Sequence, residues 1–170
     1  MNKLWSPWRS QYIDSFLNKE KQAQCILCEL AKQNVEDAGN LLVEKGKYTF
    51  TVLNLYPYNN GHLMVIPFHH KNELGMLTPE ENAEIMEKIN LAVSALTKTI
   101  GPEGFNIGAN LGKCSGAGID DHIHFHIVPR WNGDTNFMPV LGDVKVISQD
   151  LLQTKQKLFE TYKKIKGGNS

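Results

Sequence analysis

Short apolar stretches separated by turn residues dominate the first half of the chain. Residues 41–44, 48–55 and 62–68 are rich in Leu, Val, Ile, Thr and Phe, the composition of strands. Between the last two, Tyr56-Pro57-Tyr58-Asn59-Asn60-Gly61 carries the Pro and the Asn-Gly of a turn, so an antiparallel meander is expected. The period then changes. Thr78-Pro79-Glu80-Glu81 offers a capping Thr, a Pro suited to the first helical position and a Glu that completes a capping box. Met86, Ile89, Val93, Leu96 and Ile100 follow at intervals of three and four, an apolar stripe that predicts a long helix stopped by Gly101-Pro102. Two more strands are expected over 104–110 and 122–129, joined by a loop rich in Gly and Ser. Ser148 is placed to cap a last amphipathic helix through about Lys164, with Leu151, Leu152, Leu158, Phe159 and Tyr162 on its apolar side. A short helix over 28–34 precedes the first strand, and residues 1–24 mix aromatics with charge at no clean period. Strands, helix, strands, helix with hairpin-length links predict an α+β fold. Its core is a five-stranded antiparallel sheet with a long helix and a C-terminal helix, not a doubly wound sheet.

A chain of 170 residues suits one domain and can bury a proper core without staples. Its composition, 41% hydrophobic and 21% charged, is that of a globular protein. Eighteen Lys and Arg balance 18 Asp and Glu, so no bulk field draws long nucleic acid or an anionic membrane; a small phosphorylated ligand in a local site remains open. No stretch approaches the ~18 consecutive apolar residues needed to span a bilayer, and the first residues lack an apolar run of secretory length. Cys25, Cys28 and Cys114 are an odd set whose first pair has a two-residue gap, which points to a metal or redox element in a cytoplasmic protein.

The chemistry concentrates in residues 122–130, HIHFHIVPR. In a strand alternate side chains share a face, so Ile123, Phe125 and Ile127 enter the core while His122, His124 and His126 line the other side. Successive histidines advance roughly 6.5–7 Å along the strand. Such a row can hold phosphate oxygens and supply a nucleophile and proton donors near neutral pH. A row of metal ligands or a polar solvent face is the alternative. The preceding loop, Asn110-Leu-Gly-Lys-Cys-Ser-Gly-Ala-Gly118, favours phosphate chemistry, since glycines free backbone N–H groups to point at an anion.

HIHFHIVPR resembles the His-φ-His-φ-His-φ-φ signature of the histidine-triad superfamily, where φ is apolar. NNGHLMVIP (59–67) is similar to the family's Gly-His-x-x-Val-x-Pro strand, and Asn54 stands where members keep a ribose-contacting asparagine. NIGANLG (106–112) resembles the strand and loop whose asparagine, here Asn110, reaches the nucleotide. LWSPWR (4–9) and RWNGDTNF (130–137) resemble the bacterial diadenosine-tetraphosphate phosphorylase and hydrolase-like branch. The resemblance implies a single histidine-triad domain over 1–170, with 1–24 as an N-terminal and 140–170 as a C-terminal extension. It also implies a homodimer that binds an adenine nucleotide and cleaves it at an α-phosphate.

In that scheme His124 is the nucleophile and forms a nucleotidyl-histidine intermediate, which splits one hard displacement into two easier ones. His126 binds phosphate and assists the leaving group, His122 orients its neighbours or serves a metal, and His62 lines the same pocket. Ser115, Gly116 and Gly118 belong to the phosphate loop. The chain departs from the family where several members carry Gln or Ser: it has Gly118-Ile119-Asp120-Asp121, two acids and no side-chain amide or hydroxyl. The rival activities are cleavage of a nucleoside phosphoramidate or an adenylyl sulfate, and the non-enzymatic rival is a nucleotide-binding module with little turnover.

Cys25-Ile-Leu-Cys28 has a spacing suited to two tetrahedral zinc ligands, though a CxxC can equally be two buried small residues. The resemblance completes a structural zinc site with His70, its neighbour His69 competing, and with His122. No organic cofactor is implied. Trp5, Trp8 and Trp131 could stack on a purine or fill a core edge. Asp134 and Asn136 are either ligand contacts or parts of an ordinary turn.

Overall fold

The computed structural model describes residues 25–134 and 150–168. Trp5, Trp8, Asn136 and Ser148, with the extension over 1–24, lie outside the described residues.

Among the described residues five strands form one antiparallel sheet: β1 (Leu42–Lys45), β2 (Thr49–Leu53), β3 (Leu63–Pro67), β4 (Gly104–Ala109) and β5 (Phe125–Arg130). Their order is β1-β2-β3-β5-β4, so the predicted meander stands and β4 is an edge. The helices are α1 (Ile26–Lys32), α2 (Pro79–Ile100) and α3 (Leu151–Gly167). The first begins two residues earlier than the sequence pattern suggests.

The sheet separates two apolar cores. On one face Val43, Leu53, Leu63, Val65 and Ile127 pack with Ile85, Ile89 and Leu96 of α2 and with Leu158 and Tyr162 of α3. On the other, Leu42, Phe50, Val52, Met64 and Ile66 pack under Leu27 of α1. Alternating side chains feed the two sets, which is why β2 and β3 are buried along their whole length.

The capping box of α2 forms as expected, Thr78 accepting from the Glu81 amide while the Glu81 carboxylate accepts from the Thr78 amide. The helix ends at Gly101, which is left-handed at φ 56°. For α3 the cap is Asp150, accepting from the Gln153 amide at 2.9 Å. The stripe of α2 differs from the expected one. Its buried positions are Glu81, Ile85, Lys88, Ile89, Ala92, Ala95 and Leu96, whereas Met86 is 57% exposed. Likewise Leu152 of α3 is 45% exposed. Two charged residues are buried because partners wait for them: Lys88 donates to Glu44 at 2.9 Å, and Lys71 and His69 reach Glu81 at 2.6 and 2.7 Å. Apolar periodicity ignores such pairs.

Gly61 shows how tightly the turn before β3 is drawn in. Its φ is 73°, and a Cβ there would meet Ile100 at 2.6 Å and Leu96 at 2.9 Å. Only glycine fits on both counts.

Candidate active site

Three central strands carry the histidines. His62 directly precedes β3, and its carbonyl accepts from the Asn54 amide just past β2. In β5, His126 pairs with Met64 of β3 and Gly108 of β4, so it stands on the face of the second core. His124, two residues earlier, falls on the same face by alternation. The regular pairing of β5 starts at Phe125, later than expected. The reason is Pro67, which has no N–H to offer a ladder. The Ile123 amide turns instead to the Lys71 carbonyl at 2.6 Å, and the Pro67 carbonyl receives His122 Nε2 at 3.0 Å. The row of three is thereby divided. His122 is 1% exposed and turns its ring away to Pro67, while His124 and His126 meet edge-on, ring centroids 4.8 Å apart.

Hydrogen bonds set the ring protons. His62 Nδ1 faces two donors, the Tyr58 amide at 3.0 Å and the Asn54 side-chain amide at 3.4 Å. Asn54 is oriented by its own Oδ1, which accepts from the Tyr56 amide. A nitrogen facing two donors keeps its lone pair, so neutral His62 carries its proton on Nε2 and donates to His126 Nδ1 at 2.9 Å. That in turn leaves His126 a donor at Nε2. The Tyr58 ring stacks on His62 at 4.9 Å and leans on His126 at 5.9 Å, gripping the pair from one side.

His124 is set differently. Its Nδ1 donates to the His122 carbonyl at 2.9 Å, which leaves the lone pair on Nε2. Burial pushes its pKa below the ordinary imidazole value, with the His122 carbonyl and Asp121 pulling the other way. The ring is therefore neutral and nucleophilic near neutral pH.

A cavity of about 220 Å3 opens on the same face of the sheet. Val52, Met64 and Asn54 form its sheet side, Ile26, Leu27 and Leu30 its α1 side, and Gln33, Asn40 and Ile119 its rim. Two of its lining residues touch the histidine framework: Met64 is the cross-strand partner of His126, and the Asn54 side-chain amide faces His62 Nδ1 at 3.4 Å. An apolar slot with a few convergent polar groups is the usual form of a small-ligand site.

Behind the row lies a second cluster. Cys25, Cys28, His70 and His122 bring one ligand atom each to within 4.8 Å of one another. His122 Nδ1 stands 3.4 Å from Cys25 Sγ and 3.6 Å from Cys28 Sγ, and His70 Nδ1 is 3.5 Å from Cys28 Sγ. A tetrahedral zinc with ordinary Zn–S and Zn–N bonds separates sulfur from nitrogen by about 3.5 Å, so these four residues fit one ion. The Pro67 carbonyl holds His122 by its other nitrogen, the outer contact that orients a ligating imidazole. His69 is not in the cluster, because Glu81 holds its Nδ1. Burial pushes the Cys25 thiol up to about 11 and lowers His122 below the ordinary imidazole value.

The remaining residues fall as follows. Asn110 comes just after β4, whose Ala109 pairs with Phe125. Ser115 sits in a short 3-10 turn (Lys113–Ser115) and donates to the Gly112 carbonyl at 2.7 Å; Gly116 closes that turn with φ 84°. Gly118 follows in the same loop toward β5. Cys114 is exposed. Asp134 is an ion-pair hub, gripping Arg130 at 2.6 and 2.8 Å and accepting from Asn59 at 2.8 Å. Arg130 holds its carboxyl well down, at about 2. Trp131 donates to the Gly101 carbonyl. Sequence reasoning missed Tyr58 and the apolar lining. The Tyr58 contribution is partly a backbone N–H, which no side-chain pattern encodes.

Known proteins resemble this chain in sequence and in fold. The HIT domain family matches residues 35–133. The chain is 38% identical over 161 residues to the AP-4-A phosphorylase of Mycobacterium tuberculosis, covering 93% of this chain and 83% of that protein. It is 32% identical over 108 residues to an adenosine 5'-monophosphoramidase of Schizosaccharomyces pombe, covering 64% and 75% respectively. A zinc-bound histidine triad family protein from Mycobacterium smegmatis shares the fold, with a TM-score of 0.68 at 22% identity over 87% of this chain and 99% of that one. On these grounds the chain belongs to the HIT domain, or histidine-triad, family.

Proposed function

We propose that this protein cleaves a dinucleoside polyphosphate of the diadenosine tetraphosphate type at an α-phosphate, by way of a nucleotidyl-His124 intermediate. One observation carries the reading. His124 Nε2 keeps its lone pair, burial favours the neutral ring, and the cross-strand partner of its neighbour His126, Met64, lines an apolar cavity. The printed name of the Mycobacterium tuberculosis relative supports the same substrate class.

In the first step His124 Nε2 attacks the α-phosphorus; the P–N bond forms and the P–O bond to the polyphosphate breaks with its electron pair. His126, held as an Nε2 donor by the Tyr58 amide and His62, hydrogen-bonds the phosphate oxygens and steadies the departing charge. Backbone amides around Ser115, Gly116 and Gly118 supply further donors, and Asn54 and Asn110 contact the ribose and the nucleotide. In the second step a water or orthophosphate oxygen attacks, and the pair of the P–N bond returns to His124. Water gives adenosine monophosphate and orthophosphate gives adenosine diphosphate, with adenosine triphosphate as the other product in both cases.

Zinc held by Cys25, Cys28, His70 and His122 is structural in this reading, since four protein ligands leave no open position. The ion would tie α1 to the approach of β5. Two protomers pair through the exposed edge strand β4, where Ile107 is 49% exposed. The chain acts as one catalytic domain, and free thiols suit the cytoplasm. Among the described residues no helix is long and apolar enough to cross a membrane.

The test incubates the purified protein with diadenosine tetraphosphate, with and without orthophosphate, beside His124→Gly. Wild type releases adenosine triphosphate together with the mono- or diphosphate. The variant loses activity by at least about a thousandfold, as expected for a removed nucleophile, while still binding adenosine monophosphate. A variant that keeps more than a few per cent of the rate removes His124 as nucleophile. Cleavage of an adenosine phosphoramidate in preference to the tetraphosphate transfers the site to the rival substrate class.

A further inference from the structure

Lys155 of α3 is completely buried, at 0% exposure. An ammonium taken out of water needs compensation, and an apolar side chain would fill the same space at lower cost. Here the compensation is two backbone carbonyls, of Val35 at 2.9 Å and of Asp37 at 2.8 Å. The Phe159 ring, one turn along α3, lies 5.0 Å from the same nitrogen.

Both carbonyls belong to the irregular stretch 33–41 that joins α1 to β1. Within that stretch the bonds are local: the Gly39 amide to Asp37 Oδ1 at 2.8 Å, and Asn40 Nδ2 to the Asn34 carbonyl at 2.7 Å. They fold the segment on itself, while Val35 and Leu41 set it against the second core. Its far end is tied to the sheet by the Leu53 amide on the Leu41 carbonyl. In the middle Val35 packs against the second core, and among the described residues α3 adds polar ties: Lys155, and a surface pair, Lys163 with Glu36 at 3.7 Å, of a kind that contributes little.

The same stretch forms a wall of the apolar cavity through Gln33, Gly39, Asn40 and Leu41, while Val52 and Met64 of the rigid sheet line it too. We propose that Lys155 is a positioning residue for nucleotide recognition, holding the 33–41 wall at the separation from the sheet that a nucleoside fills. This rests on the reading of the cavity as the nucleoside pocket. The C-terminal helix is then part of the binding apparatus and not only a cover for the core. Lys155 acts on affinity and leaves the chemical step alone, because the histidine row is built on β3 and β5.

The experiment compares Lys155→Met, which nearly keeps the volume but removes the donors, with Lys155→Gln, whose shorter side chain keeps a neutral N–H donor. Folding is followed by circular dichroism, adenosine monophosphate binding by calorimetry, and kcat and KM with diadenosine tetraphosphate. For Lys155→Met, the KM and the monophosphate Kd rise about tenfold, a part of the worth of two charge-assisted bonds being felt at the pocket, while kcat stays within about twofold. Lys155→Gln falls between that variant and wild type, and carries the comparison if Lys155→Met does not fold. A folded variant that binds the monophosphate like wild type, or loses kcat at unchanged KM, overturns the proposal. Wild type that binds no adenosine monophosphate overturns the nucleotide reading itself, and this inference with it.

Discussion

His122 shows how far one residue's role depends on its surroundings. By motif it is the first of three equivalent histidines; by geometry it is the odd one, with Nε2 on the Pro67 carbonyl and Nδ1 facing two thiols. Its backbone still serves the row, because its carbonyl orients His124. One residue thus joins the Cys/His cluster to the candidate nucleophile. The prediction at this scale follows from the proposed ion. Purified protein should carry about one zinc per chain, and Cys25→Ser should lose most of it, as removal of one of four ligands implies. The same variant, or wild type after a chelator, should melt at a lower temperature because metal binding is linked to folding. Elemental analysis decides it: wild type isolated without metal, or Cys25→Ser with undiminished zinc, would make the pair ordinary core residues.

Among the elements, α2 separates what periodicity can reach from what it cannot. Its cap, start and stop stand in the sequence because they depend on local chemistry, and all three form. The buried face is rotated from the expected stripe because Glu81 and Lys88 count as polar in any pattern yet are buried by partners outside the helix, Lys71 ten residues before Glu81 and Glu44 on β1. Although burial pushes the Glu81 carboxyl up, Lys71, the Thr78 amide and His69 together hold it down at about 2. Leu96 and Met86 belong to one predicted stripe, but Leu96 is 0% exposed and Met86 57%. Leu96→Ala should therefore cost about 2–5 kcal/mol in urea unfolding. Met86→Ala, on the surface, should stay within about 0.5 kcal/mol. Equal losses at the two positions would contradict the observed helix face.

For the whole molecule the sheet has a deeply buried centre and a partly exposed edge. β2 and β3 are buried throughout, whereas the middle of β4 is exposed, Ile107 included. An edge of this kind presents unpaired backbone groups to a second chain. Under the proposed pairing, light scattering at micromolar concentration should return twice the chain mass of 19.2 kDa. A value equal to the single-chain mass would exclude the dimer.

The elements whose signals are local were legible from the sequence alone: the meander, the capped long helix and the turn before β3, while the histidine strand was legible only from Phe125 onward. Alternation in HIHFHIVPR is enough to predict that Ile123 and Ile127 enter the core, and they do. The Cys-x-x-Cys pair and the two adjacent histidines were visible as candidates, but sequence could not choose between His69 and His70. Tertiary structure chose, since Glu81 on α2 occupies His69 and leaves His70 beside Cys28. The same holds for the proton placement on His62, which needs the Tyr58 amide brought back by the turn, and for the 33–41 wall, whose anchor lies 120 residues away on α3. Periodicity reports which side of an element is apolar. Which nitrogen faces which donor is decided only when separate elements pack together, because hydrogen bonds and buried charges need partners that adjacent sequence does not supply.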